Sequence, residues 1–319
     1  LVPSLTFLAT ANAVLLVGAK PVFVDVSSET LALDPEALES RITARTRGAI
    51  VVHYAGHVAD VDALRDRLGP ERFLLEDACH ALGAVDRGRP VGSASEVACF
   101  SFHPAKHITT GEGGAIVTSS EPLADRALRL REHGMERLPD RFQGLGLPAT
   151  AQAEQSGGWV YEMQTLSGNH RLPDFASALG LSQLSRLAEN VSARRRLARR
   201  YVEKLSGETR LAWLREAPNT LSAWHLFPIL LDVDRIEGGR AAVYRALNAE
   251  GIGVQVHYIP IHLQPYYRAR LGTRYGDYPK TEDAYLRLLS LPMFPDLADG
   301  AQDRVVEVLR GTLDGLARR

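Results

Sequence analysis

Lys106 lies in the stretch Ser101-Phe102-His103-Pro104-Ala105-Lys106-His107-Ile108-Thr109-Thr110-Gly111-Glu112-Gly113-Gly114. Val97-Ala98-Cys99-Phe100 before it and the Gly-Gly-Ala-Ile-Val-Thr run after it read as strands. The lysine therefore sits in a short polar turn, placed to form an imine. Upstream, Phe73-Leu74-Leu75-Glu76-Asp77-Ala78-Cys79-His80-Ala81 reads as a buried strand that ends in a carboxylate and then turns. Parallel sheets present their ligands at such carboxyl ends. An imine-forming lysine with a strand-end carboxylate is the pair that pyridoxal phosphate needs, one to hold C4′ and one to keep the ring nitrogen protonated as an electron sink. Glu76 and Asp77 compete for the second role. Side chains alternate along a strand, so only one of the two can see the ring.

The elements that would position these groups follow from the pattern. From the start to about Ser120, strand-like runs at Pro21 to Asp25, Ala49 to His53 and Phe73 to Glu76 alternate with helical patterns at Pro35 to Ile42, with Asp34 as N-cap, and at Asp60 to Leu68. This alternation predicts an α/β fold with a mostly parallel central sheet covered by helices. The segment from about Glu136 to Gly158 has no clear period and reads as a long loop. A long helical pattern runs from Pro173 through Leu205; its Arg194, Arg195, Arg196, Arg199 and Arg200 are expected on a solvated face or a subunit contact. His225 to Leu231 and Gly253 to Tyr258 read as strands, and Gly238 to Glu250 and Ala298 to Ala317 as helices. They predict a smaller C-terminal α/β domain over residues 201–319, after a large domain over 1–200.

Composition excludes several function classes. The chain has 319 residues, is 45% hydrophobic and carries a formal charge of −1, which provides no field for nucleic acid or anionic membrane. No apolar run approaches the ~20 residues of a membrane span and no signal peptide is recognisable, so a cytoplasmic location is expected. The two cysteines, Cys79 and Cys99, match no zinc ribbon or redox pair and are expected reduced. His53 with His57, and His103 with His107, have helical ligand spacing, but His53 ends a strand and Pro104 interrupts the other pair; no metal is expected.

The order VPSLTF, VVHYAGH, EDACHALGA, SFHPAKHITTGEGGAIVT, NHRLPDFASALGLSQL, GIGVQVHYIPIH and LSLPMFPDL closely resembles the DegT/DnrJ/EryC1/StrS family of nucleotide-sugar aminotransferases. The resemblance covers nearly the whole chain and implies a fold-type-I transferase with pyridoxal 5′-phosphate as cofactor and pyridoxamine phosphate as its intermediate form. It chooses Asp77 over Glu76 for the ring nitrogen. It makes Lys106 the Schiff-base residue and then the base for proton transfer, with burial expected to lower its pKa from the ~10.4 of free lysine. A lysine there excludes the family variant in which histidine replaces it and the reaction becomes deoxygenation. His80 falls where the family places a Gln or His near the cofactor's phenolic oxygen. Ser101 matches a phosphate-binding serine and Phe7 an aromatic residue against the pyridine ring. Asn169 matches the Asn of an Asn-Tyr-Arg motif that reaches the phosphate in the neighbouring subunit, although His170 replaces the usual aromatic residue. A homodimer with shared active sites is thus implied.

Tyr258, Ile259, Pro260, Ile261 and His262 resemble the strand and loop that contact the nucleotide sugar. The HPAKHITTGEGG, WHLFPILL and VQVHYIPIH segments are most like PseC-type members, which move an amino group from L-glutamate to C4 of a UDP-linked 4-keto-6-deoxy-N-acetylhexosamine in pseudaminic acid synthesis. VPSLTF and VVHYAGH are equally close to the aminoarabinose enzyme of lipid A modification, which is the alternative. An inactive fragment or scaffold protein is the alternative of another class. Leu1-Val2-Pro3-Ser4 has no initiator methionine, and a preceding segment with a phosphate-cradling turn at a helix N-terminus is expected.

Overall fold

Opposite faces of the central strands bury two different sets of apolar side chains, and that parity fixes the architecture. In the computed structural model, which describes residues 1–148 and 157–318, the strands Gly48–Val52, Phe73–Asp77, Val97–Ser101 and Gly114–Val117 form one sheet in that order. The first three are parallel and the last is antiparallel. The parallel pair Val2–Pro3 and Phe23–Val24 extends it, the Ile50 N–H donating to the Leu1 carbonyl at 2.9 Å. Ala49, Val51 and Leu74 point to one face, where Leu38, Val61, Leu64 and Leu68 of the helices Pro35–Ser40 and Val61–Leu68 cover them. Ile50 and Leu75 point to the other, toward Ala11 of the helix Leu8–Leu16 and Tyr267 of the helix Pro265–Leu271. Aspartates start both helices of the first face: Asp34 accepts from the Glu36 and Ala37 N–H groups and Asp60 from that of Ala63. Each such cap contributes about 1 kcal/mol.

A second sheet is antiparallel, ordered Leu211–Trp213, Phe227–Leu231, Leu288–Leu291. Its core joins Phe227, Ile229, Leu231 and Leu289 to Tyr201, Val243, Leu247, Leu309 and Leu313 from the helices Leu187–Leu205, Gly239–Ala249 and Asp299–Gly315. We propose the division into a large and a small domain near residues 200/201 on the ground of these separate cores; the drawn boundary falls inside the helix Leu187–Leu205.

Three local expectations are corrected. The single long helix from Pro173 is two, Asp174–Leu184 and Leu187–Leu205, because the Ser185 hydroxyl bonds back to the Ser182 carbonyl at 2.8 Å and Arg186 leaves helical geometry. Gly253 to Tyr258 is not a strand: only Gln255 pairs with the sheet edge, at Ser290, and Pro292 has no N–H to continue the ladder. The arginines of the long helix are not all solvated, since Arg194 shares the face of Val191, Leu197 and Tyr201 and is only 3% exposed. Of the loop expected over residues 136–158, residues 149–156 lie outside the described residues. No helix among the described residues is long and apolar enough to cross a membrane.

The same parity separates the adjacent carboxylates. Glu76 points toward the Val61–Leu68 face and is fully buried. It accepts from His53 Nε2 (2.9 Å), Gly92 N (3.0 Å), Ala94 N (3.2 Å), Ser95 N (3.1 Å) and Ser95 Oγ (2.8 Å). His53 Nδ1 accepts from Ala59 N, which leaves its proton on Nε2, facing Glu76. Burial works to raise the Glu76 pKa, but these donors outweigh it and hold the carboxyl below its ordinary range. Replacing Glu76 with Ala strands the donors, and we expect a loss of ~3–5 kcal/mol in urea unfolding; Asp77→Asn, on the other face, should cost less than ~1 kcal/mol by the same measurement.

Candidate active site

At the C-terminal end of the Phe73–Asp77 strand, Asp77 turns toward the helix Leu8–Leu16. Its Oδ2 accepts from Thr10 Oγ1 at 2.7 Å, and Thr10 pairs in turn with Thr6 at 2.9 Å. Its Oδ1 accepts from the Cys79 N–H at 3.2 Å. The turn after the strand carries His80, whose Nε2 lies 3.1 Å from the Tyr258 hydroxyl. Tyr258 packs against Phe7, with ring centroids 5.7 Å apart, and Phe7 remains 56% exposed. The neighbouring strand Val97–Ser101 leads into the Lys106 turn, closed by the Lys106 N–H on the His103 carbonyl at 2.9 Å. Ser101 Oγ, at the strand end, accepts from the His103 N–H at 3.3 Å.

Lys106, Asp77, His80, Phe7 and Tyr258 therefore line one region at the ends of two parallel strands. Lys106 is half-buried; burial holds its ammonium below the ordinary lysine range against the pull of Cys79 and Asp77. Burial, then the neighbouring Lys106, His257 and His107, hold His80 well below its usual range, so its imidazole is neutral. Burial and the nearby Asp77 push the Tyr258 phenol and the Cys79 thiol up, so neither ionises near neutral pH. An uncharged-leaning amine, a fixed carboxylate and a neutral imidazole with an unpartnered Nδ1 suit the carbonyl, ring nitrogen and phenolic oxygen of pyridoxal phosphate, so the residues fit the cofactor implied above. Among the described residues no cluster of three or more His, Cys, Asp or Glu could hold a metal.

Other predicted residues lie elsewhere. Asn169 is exposed, caps its own turn by accepting from the Arg171 N–H at 3.1 Å, and shares no hydrogen bond with the Lys106 group. The expected sugar-contacting run is divided. Tyr258 faces the site and Ile259 is 50% exposed, but Pro260 and Ile261 are buried. His262 is corrected from ligand to core: it has no exposed surface, and its Nδ1 and Nε2 lie 2.6 Å from Ser4 Oγ and 2.9 Å from Glu282 Oε1. Both nitrogens are taken, so none is left for a sugar. Sequence reasoning missed Thr10, three residues after Phe7 on the facing helix. It also gave no role to His107 and His225, which pack behind His80.

A model of the DegT/DnrJ/EryC1/StrS aminotransferase family matches residues 1–310. The spore coat polysaccharide biosynthesis protein SpsC of Bacillus subtilis is 35% identical over 313 residues, which span 98% of this chain and 78% of that protein. Helicobacter pylori PseC, an aminotransferase involved in the biosynthesis of pseudoaminic acid, superposes with a TM-score of 0.87 at 28% identity, over 99% of this chain and 79% of its own. DesV of S. venezuelae, solved in complex with a ketimine intermediate, does so with a TM-score of 0.84 at 33% identity, over 98% and 78%. These neighbours are similar to comparable degrees, so the likeness singles out no one of them.

The buried imidazoles make a pH prediction. Burial pushes His57 down to about 4 and His257 to about 4, with Lys106 adding to the second; burial and Arg194 push His107 to about 3. Above the unfolded histidine value of ~6.5 these groups are neutral in both states and have no effect. As pH falls from there toward 4 the unfolded chain takes up protons that the folded chain refuses. Stability should drop by roughly 1.4 kcal/mol per histidine per pH unit, read as a falling Tm of cofactor-free protein between those limits.

Proposed function

The chain belongs to the DegT/DnrJ/EryC1/StrS aminotransferase family, whose members are fold-type-I sugar aminotransferases, and from that premise we propose that it transfers an amino group from L-glutamate to C4 of a UDP-linked 4-keto-6-deoxy-N-acetylhexosamine. The observation that carries this reading is the half-buried Lys106 amine beside the strand-end carboxylate Asp77. The choice of sugar is supported by the HPAKHITTGEGG, WHLFPILL and VQVHYIPIH segments and by the likeness to PseC. The product would be UDP-4-amino-4,6-dideoxy-N-acetyl-β-L-altrosamine, a precursor of pseudaminic acid for a surface glycan, made in the cytoplasm.

When bound, pyridoxal phosphate supplies an electron sink and carries the amino group between the two half-reactions. Lys106 would hold its carbonyl carbon, Asp77 its ring nitrogen, His80 its phenolic oxygen, Ser101 its phosphate and Phe7 its ring face. Lys106 does the proton work of the chain. Burial increases the fraction of its Nζ that is unprotonated, and such an amine can take a proton from one carbon and return it to another. Asp77 cannot swing away, because Thr10 and the Cys79 N–H fix both its oxygens. Tyr258 keeps its phenolic proton and remains bonded to His80, walling the site on the Phe7 side. Tyr258 and Ile259 are the residues left to meet the sugar. We further propose a homodimer in which Asn169 reaches the partner's phosphate site.

Three experiments test these statements. Borohydride reduction of protein incubated with pyridoxal phosphate should fix the cofactor on Lys106 in a peptide map, and Lys106→Ala should show no adduct; an adduct elsewhere, or none in the unaltered protein, overturns the reading. Release of 2-oxoglutarate from L-glutamate, coupled to amination of the 4-keto-hexosamine in preference to a UDP-4-keto-pentose, supports the substrate; the reverse preference supports the aminoarabinose alternative. Lys106→Ala and Asn169→Ala should each be inactive, yet unfolding and refolding them together should restore up to about a quarter of wild-type activity, because half the sites in a mixed dimer are intact. No recovery would place Asn169 outside a shared site.

A further inference from the structure

Packed against His80 lie imidazoles that the proposed roles do not use. The His80 and His225 ring centroids are 4.3 Å apart at 39°, and those of His225 and His107 are 5.5 Å apart at 47°. All three are at least nine-tenths buried. His107 Nε2 donates to the Ala223 carbonyl at 3.0 Å, which fixes the far end of the stack. Two side chains of the helix Leu187–Leu205, one turn apart, fix the backbone on either side. Asn190 Nδ2 donates to the His107 carbonyl at 3.2 Å, and Arg194 Nη1 donates to the carbonyls of Trp224 (3.2 Å), His225 (3.0 Å) and Met293 (3.0 Å). Arg194 is buried and forms no salt bridge among the described residues. It is committed to holding that corner of the chain.

We propose that His225 is a positioning residue for the amino transfer: its ring, braced by His107 and anchored through Arg194, holds the His80 imidazole in the orientation that gives Nε2 to Tyr258. This rests on the reading of Lys106 and His80 given above. Among the described residues the His80 side chain has one hydrogen bond, and its Nδ1 has no partner. A ring tethered at one corner can turn about its side-chain bond, and a single hydrogen bond is a weak restraint. The flat face of His225 supplies the second constraint. Burial first, and then the neighbouring His80, Lys106, His107 and Arg194, none of them anionic, keep the His225 ring neutral. A neutral ring packed 4.3 Å from its neighbour at a tilt of 39° acts through its shape. An aromatic ring of similar size should therefore replace it, whereas a side chain without a flat face should not.

The test uses the full chain loaded with pyridoxal phosphate and compares His225→Ala, His225→Phe and His225→Leu. His225→Ala should lower kcat of the glutamate half-reaction roughly 10-fold with KM for glutamate within about twofold, as expected when a cofactor contact is misplaced rather than lost. It should also shift the pH titration of the bound cofactor's visible absorbance, since His80 then meets the cofactor in more than one orientation. His225→Phe should recover both readouts. Should the alanine variant fail to fold, the pair His225→Phe and His225→Leu decides alone, with only the leucine variant shifted. Phenylalanine as impaired as alanine or leucine, or all variants titrating like the wild type, overturns the proposal. Wild type that takes no cofactor on Lys106 would instead fail the underlying reading, and borohydride trapping identifies that case separately.

Discussion

A carboxylate buried to its last atom must have its acceptor positions filled, and Glu76 meets that demand by tying two other pieces of chain to its own strand. His53 comes from the end of one parallel strand, Gly92, Ala94 and Ser95 from the loop before another, and Glu76 itself from the strand between them. The ends of three neighbouring strands are thereby set at one height. Everything on the opposite face takes its position from that. Asp77 is the next residue, so its direction follows from the pleat once Glu76 is fixed, and the Val97–Ser101 strand that delivers the Lys106 turn is registered against it, Cys99 opposite Asp77.

Charge in the site is arranged by removal of water more than by pairing. Lys106 has no carboxylate within salt-bridge distance among the described residues, and the surrounding imidazoles are held neutral by burial. A lysine surrounded by ion pairs would keep its proton; one surrounded by neutral rings and half cut off from solvent gives it up more readily. Asp77 is steadied by a hydroxyl and a backbone N–H rather than by a cation. Its negative charge is thus left available to a positively charged ring nitrogen.

What could be read from the sequence was what local rules determine. Asp34 caps the helix assigned after it because an aspartate before a helix bonds to nearby N–H groups whatever the rest of the chain does. The parallel alternation of the first half and the opposite faces of Glu76 and Asp77 follow from strand periodicity. The errors came where partners distant in sequence decide. His262 reads as a polar group in a loop, and only the fold brings Ser4 and Glu282 to its two nitrogens. Arg194 reads as one of a solvated row, and its burial depends on carbonyls from Trp224, His225 and Met293. The Gly253 to Tyr258 segment has strand-like composition, but it passes an edge that accepts only one of its residues. Thr10 had no local signal at all.

The bond between Ser4 and His262 joins residues 258 positions apart, and the His80 to Tyr258 bond spans 178. One wall of the site is therefore supplied late in synthesis. Emerging from a ribosome N-terminus first, the parallel strands carrying Asp77 and Lys106 exist for some time with Thr10 and Phe7 beside them but nothing to cover His80 from the Tyr258 side. Non-local closure of this kind is slow, because the entropy of the intervening loop is lost before any contact compensates for it. A nascent chain must hold its apolar sheet faces apart from other chains through that interval. The cell's folding machinery thus bears on how many molecules reach a competent state.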